Sequence, residues 1–143
     1  MKKIEGALSR EGYHVLNVGY PSRDKTIEEH AKDLEPLVRS VPKGNVIHFV
    51  GFSLGSQVIR YYLNHFPVSR PGRFVMIAPP NHGSELADYF YRFEWFPWLY
   101  GTESGPQLKA SNRKFFESLG EPPLPFGIIA GGRGNKTGRS PFL

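Results

Sequence analysis

A serine stands between two glycines in the run Gly51-Phe52-Ser53-Leu54-Gly55. The spacing G-x-S-x-G is typical of a sharp strand-to-helix turn, where a side chain two residues before or after the serine would clash. Such a turn lifts the Ser53 hydroxyl clear of the sheet and places the backbone N–H of Leu54 where it can stabilise an oxyanion. The sequence therefore predicts a nucleophilic serine with one oxyanion donor. The alternative is a glycine-rich turn with an incidental serine.

A nucleophilic serine needs a base that takes its proton and an acid that orients the base. Downstream of Ser53 the histidines are His65 and His82, and the first acidic residue is Glu85. His82 would follow a strand, where catalytic groups of open α/β sheets gather, so it is a candidate substitute base. A hydrogen bond within its own Pro-Asn-His-Gly loop is the more ordinary role. His48 is expected to be a buried structural histidine, and no constellation surrounds the three others, His14, His30 and His65.

Hydrophobic periodicity predicts the elements that position these groups. Helices are predicted over residues 4–12, 26–40, 57–66, 84–93 and 112–119, and strands over residues 13–18, 46–50, 74–78 and 126–130. Thr26 and Glu29 match a capping box at the start of the second helix, and Pro36 should kink that helix. Strands that alternate with helices predict the α/β class, with a mostly parallel sheet flanked by helices.

The run from His48 to Ser56 resembles the nucleophile elbow of α/β-hydrolase-fold lipases and esterases. The segments Gly19–Ser22 and Ile77–Ser84 are similar to loops of a lipase-like subgroup, and the resemblance extends from Ile4 to about Gly132. It implies a serine ester hydrolase that acts on a small-molecule or lipid ester through an acyl-enzyme, without a cofactor. The aromatic stretch from Phe90 to Tyr100 would line an acyl pocket, form a lid or simply pack in the core.

The resemblance also implies parts that this chain lacks. In that family the order is serine, acid, histidine, and here no histidine follows a downstream acid. The strand with the second oxyanion donor would precede the first helix, and the acid and histidine would follow the strand at 126–130. We therefore expect a fragment: one partial α/β-hydrolase domain, a three-layer sandwich over residues 1–132, with about four strands and two exposed edges, and a loose basic tail over 133–143. An inactive remnant that binds hydrophobic ligands or partners is the alternative function.

Composition narrows the function classes. The 143 residues contain no cysteine, which excludes disulfides and thiolate ligands, and no metal site is expected. The net charge of +5 is scattered along the chain, so a nucleic-acid partner is not expected. No stretch approaches the roughly 20 apolar residues of a membrane span, and residues 1–10 do not form a signal peptide. A true start at Met1 would make the cytoplasm the default compartment, and the oligomeric state is left open.

Overall fold

The computed structural model describes residues 1–19, 25–80 and 113–130. In these ranges the elements follow in the order α1 (Lys2–Arg10), α2 (Ile27–Arg39), β1 (Ile47–Phe52), α3 (Leu54–His65), β2 (Pro71–Ile77), α4 (Arg113–Ser118) and β3 (Phe126–Ile129). The helix predicted at 84–93, the aromatic stretch at 90–100 and the tail at 133–143 lie outside the described residues.

The three strands form one parallel sheet in the order β1-β2-β3. A parallel pair needs a crossover connection, and α3 supplies it between β1 and β2. Helix α3 packs on β1, and α2 packs on α3. The predicted α/β class, with a parallel sheet flanked by helices, is confirmed.

The core forms where the apolar faces of α2 and α3 meet the sheet. In α3, Val58 and Tyr62 are buried four residues apart, as expected for one face of a helix. Phe74 and Met76 are buried on the central strand β2, and they point to the same face because strand side chains alternate. The remaining buried apolar residues are Ile27, Ala31, Phe49, Leu63, Phe116 and Leu119.

The start of α2 confirms the predicted capping box. The Glu29 backbone N–H donates to the Thr26 hydroxyl, and the Thr26 backbone N–H donates to Glu29 Oε2 at 2.8 Å. The hydrogen bond from the Thr26 backbone lowers the pKa of the Glu29 carboxyl. The helix continues through Pro36 to Arg39, so this proline lies within the helix and does not end it.

The prediction of a strand over residues 13–18 is wrong. This segment is not part of the sheet, and the described residues form three strands where about four were expected. Tyr13 and Leu16 are 51% and 60% exposed. Alternating apolar residues favour an extended backbone, but a strand also needs a neighbour to share hydrogen bonds. No described segment provides that neighbour, although Asn17 donates a 2.7 Å hydrogen bond to Glu5 of α1.

The expectation that His48 is buried is also wrong, because this residue, the second of β1, is exposed. It still has a structural role. Between the pairs Ile47–Pro71 and Phe49–Phe74, β2 contains one residue more than β1. The Arg73 backbone N–H in this irregularity donates to His48 Nδ1 at 3.1 Å. Gly72 leaves room for this ring, since a Cβ there would lie 2.7 Å from it.

Tyr62 gives the first testable prediction, because it is fully buried and its hydroxyl has no partner among the described residues. We expect Tyr62→Phe to stabilise the fold by about 1 kcal/mol at neutral pH, since an unpaired buried hydroxyl is costly. Burial raises the pKa of Tyr62 above its ordinary value of 10.0. Ionisation of Tyr62 is therefore harder in the folded state than in the unfolded state. The free energy of unfolding is unaffected by this group below pH 10 and falls as the pH rises towards the higher folded-state pKa. The variant should reduce that alkaline loss.

Urea denaturation at pH 7 and at pH 10.5 measures both effects. Tyr61→Phe is the matched control, because Tyr61 is a half-buried neighbour on the same helix. A destabilised Tyr62→Phe protein at pH 7 would mean that the hydroxyl does have a partner, and the prediction would be wrong.

Candidate active site

Ser53 connects the end of β1 to the start of α3. Its backbone has φ 50° and ψ −122°, a positive-φ conformation that residues other than glycine seldom adopt. The residue is the N-cap of α3, yet its side chain makes no capping hydrogen bond. The hydroxyl oxygen of an N-cap serine ordinarily accepts a hydrogen bond from a backbone N–H of the first helical turn, and the Ser53 hydroxyl does not.

The turn at Ser53 is fixed to the sheet through the backbone. The Ser53 N–H donates to the Ile77 carbonyl at 2.9 Å, and the Ala78 N–H donates to the Ile129 carbonyl at 2.8 Å. The carboxyl ends of all three strands are thus joined beside Ser53. Catalytic groups of open α/β sheets gather at this edge. Ala78 also has a positive φ, of 48°, so a second constrained backbone position follows β2 directly.

Gly51 allows the close contact between β1 and α3. A Cβ at this position would lie 2.6 Å from the Ser56 Cα and 2.8 Å from the Ser56 backbone nitrogen. Both atoms belong to the backbone of the first helical turn, so they cannot rotate away. The steric reason that the sequence analysis gave for the first glycine of the motif is therefore present in the fold.

Leu54 is the first residue of α3. Backbone N–H groups in the first turn of a helix have no acceptor within the helix, and the helix dipole makes this end positive. No acidic residue lies in the first turn of α3 to compensate that charge. The Leu54 N–H is therefore suited to bind a developing oxyanion beside Ser53.

The described histidines do not provide a base beside Ser53. His65 is at the opposite end of the 12-residue helix α3, roughly 18 Å away at about 1.5 Å per residue. His48 precedes Ser53 by five strand residues, roughly 16 Å. His14 is exposed in the segment after α1, and His30 is buried in α2. No described residue forms a hydrogen bond with the Ser53 hydroxyl.

His82, the candidate substitute base, and Glu85 lie outside the described residues, so the Ser53–His82 pair stays a prediction. Within residues 1–19, 25–80 and 113–130, no group of three or more acidic or histidine side chains could hold a metal ion. No helix in the same ranges is long and apolar enough to cross a membrane.

An apolar cleft next to Ser53 was not predicted from the sequence. Its volume is about 430 Å³, and it is bounded by the first four residues of the chain on one side and by Phe52 and Ile77 on the other. These last two residues end β1 and β2, and both are bound directly to Ser53, one by the peptide bond and one by the hydrogen bond to its N–H.

The chain is similar to known proteins in both sequence and structure. A family model described as alpha/beta hydrolase fold matches residues 11–119. The crystal structure of the mature lipase BlEst2 from Bacillus licheniformis is similar, with a TM-score of 0.64 and 21% sequence identity. The match covers 81% of this chain and 52% of the lipase chain, so the chain spans about half the length of that lipase. No curated protein matches the sequence.

Proposed function

The chain belongs to the α/β-hydrolase fold family, and on that premise we propose that it is a serine ester hydrolase, similar to a carboxylesterase or lipase. In this proposal Ser53 is the nucleophile and the Leu54 N–H contributes to the oxyanion hole. The substrate is a small-molecule or lipid ester, and no cofactor takes part.

The observation that carries the proposal is the backbone of Ser53. Its positive φ costs conformational energy, of order 1–3 kcal/mol for such positions, and such strain persists where the surroundings enforce it. Here Gly51 and the hydrogen bond to Ile77 hold the turn. A turn that served only to connect β1 and α3 would not need a strained serine with an uncommitted hydroxyl at the positive end of a helix.

The reaction follows from these positions. A base removes the Ser53 hydroxyl proton while Oγ bonds to the acyl carbon of the ester. The carbonyl oxygen becomes an oxyanion, which accepts a hydrogen bond from the Leu54 N–H. Collapse of this intermediate breaks the bond to the alcohol, which leaves with the proton, and water then hydrolyses the acyl-enzyme. His82 is the base that this chain itself would offer.

A second function, binding of hydrophobic ligands or partners without turnover, is favoured by one observation. None of the described histidines is hydrogen-bonded to Ser53. A hydroxyl without a base is a weak nucleophile, so a chain that holds the elbow alone would bind esters and release them unchanged.

Covalent labelling with a fluorophosphonate separates the two functions. We expect the wild-type chain to be labelled and Ser53→Ala to lose labelling completely, because the phosphorus bonds to an activated serine oxygen only. Ser56→Ala is the matched control, since Ser56 is a buried serine in the same turn and should leave labelling intact. Mass spectrometry of the labelled peptide and hydrolysis of p-nitrophenyl butyrate are the readouts.

Folding of each variant is checked by circular dichroism. A folded wild-type chain that is neither labelled nor active would contradict the enzymatic proposal and support the binding function. Equal labelling of Ser53→Ala would exclude Ser53 as the nucleophile.

A further inference from the structure

We infer that Ala78 is a positioning residue for the proposed reaction, because its positive-φ backbone holds the peptide group that fixes the Ser53 turn. The inference rests on the proposed function for its link to catalysis. The positioning itself is a property of the backbone, so it can be measured whether or not Ser53 reacts with an ester.

The peptide group between Ile77 and Ala78 connects all three strands at their carboxyl ends. Its carbonyl accepts the hydrogen bond from the Ser53 N–H at 2.9 Å, on the side of β1. Its N–H donates to the Ile129 carbonyl of β3 at 2.8 Å. A peptide group is planar, so its carbonyl and its N–H cannot turn independently. A rotation of this group therefore weakens both hydrogen bonds together.

The conformation of Ala78 is not one that the local sequence favours. Its φ is 48°, whereas a residue with a Cβ is more stable at negative φ. Pro79 follows directly, and a residue before proline favours the extended region. Contacts with other segments must therefore override the local preference. The hydrogen bonds to Ser53 and Ile129 are contacts of this kind.

Two constrained residues thus share one hydrogen-bonded edge of the sheet. Within residues 1–19, 25–80 and 113–130, Ser53 and Ala78 are the residues other than glycine that have a positive φ. Strained positions of this type cluster at functional sites, where the surrounding structure maintains them. If Ala78 relaxed to a negative φ, the Ile77 carbonyl would turn away from the Ser53 N–H. Ser53 would then lose a bond that holds its own backbone, and its hydroxyl would shift relative to the Leu54 N–H.

Three substitutions of Ala78 test this role through amide hydrogen exchange of the Ser53 N–H and through the rate of fluorophosphonate labelling. Ala78→Gly and Ala78→Asn should keep both rates at the wild-type level, because glycine and asparagine tolerate a positive φ. Ala78→Val should speed exchange and slow labelling, each by about tenfold or more, because a β-branched residue disfavours a positive φ. Asparagine and valine are similar in size, so their difference reports the backbone and not the bulk of the side chain.

Ala130→Val is the matched control. Ala130 follows β3 directly and is exposed, as Ala78 follows β2 directly and is exposed, but Ala130 does not have a positive φ. Its substitution should change neither rate. Urea denaturation of each variant separates the two roles, because a general loss of stability would speed exchange throughout β1 and β2, whereas a positioning role affects the Ser53 turn selectively.

Two results would overturn the inference. One is an Ala78→Val protein with wild-type exchange and labelling, and the other is a loss in Ala78→Gly and Ala78→Asn equal to that expected for valine. If Ala78→Val does not fold, NMR scalar couplings of Ala78 in the wild-type chain decide: a negative φ overturns the inference, and a positive φ with a protected Ser53 N–H supports it. A wild-type chain that is not labelled would contradict the proposed function, while exchange of the Ser53 N–H would still test the role of Ala78.

Discussion

Replacing Gly51 with alanine is expected to destabilise the fold by about 3 kcal/mol and to abolish labelling of Ser53 by a fluorophosphonate. The added Cβ would lie 2.6 Å from the Ser56 Cα, well inside van der Waals contact. Overpacking of a close contact costs typically 1–3 kcal/mol, and the upper end applies here because the opposing atoms are backbone. This clash can be relieved only if α3 moves away from β1. That movement displaces the Leu54 N–H, the oxyanion donor, relative to Ser53.

Gly127→Ala is the matched control for this prediction. Gly127 is also a strand glycine, but a Cβ there would meet no atom of the described residues within 4 Å. Its stability should change by less than about 0.5 kcal/mol. Urea denaturation gives the free energies, and the labelling rate reports the turn. A Gly51→Ala protein as stable and as reactive as Gly127→Ala would show that the β1–α3 contact does not hold the elbow.

The elements that the sequence predicted correctly are those with a local physical signal. The capping box at Thr26 and the apolar stripe of α3 act over one or two helical turns, and both are present in the fold. The turn at Ser53 combines two glycines with a buried strand and an amphipathic helix, so its position was also predictable. The start of α3 was placed at Gln57 but lies at Leu54, because the first turn follows directly from the elbow.

The errors arose where a residue depends on distant neighbours. Residues 13–18 have the alternation of a strand, but pairing depends on a partner that their own sequence cannot specify. His48 was expected to be buried because its strand neighbours are apolar. It lies at the exposed start of β1, where its ring contacts Tyr13 and lies beside Gly72. The cleft beside Ser53 was not predictable for the same reason, since it joins the first four residues to Phe52 and Ile77, about 50 and 75 positions further along the chain.

The second large effect is expected at Arg60, which joins α3 to the end of α4. Its guanidinium donates two hydrogen bonds to the Gly120 carbonyl, one of them from Nε at 3.1 Å. Asn64, one turn later, donates to the Leu119 carbonyl at 2.9 Å and to the Glu121 carbonyl at 3.1 Å. These carbonyls follow α4, where helix groups lack partners and a cation is favourable. Burial lowers the pKa of Arg60, although an arginine remains charged at neutral pH.

We expect Arg60→Met to destabilise the fold by about 2 kcal/mol. Methionine keeps much of the apolar stem but removes the donors, and hydrogen bonds from charged groups contribute roughly 1.5–3 kcal/mol. Arg60→Lys should recover only part of the loss, because an ammonium cannot reproduce the planar fork on one carbonyl. Urea denaturation at neutral pH measures each change.

Arg39→Met is the matched control, since Arg39 is exposed and pairs only with Glu35 on the same helix at 2.6 Å among the described residues. Such a surface pair contributes about 0.5 kcal/mol or less. Equal losses for Arg39→Met and Arg60→Met would contradict a special role for the contact with Gly120. If Arg60→Met loses more stability than Arg39→Met, α3 is anchored at both ends. At its start, the Ser53 N–H is hydrogen-bonded to Ile77 of β2. In its second half, Arg60 binds the segment that leads into β3. The Ile129 carbonyl of β3 in turn binds the Ala78 N–H beside the elbow, so Arg60 stabilises the same sheet edge from the far side of the helix.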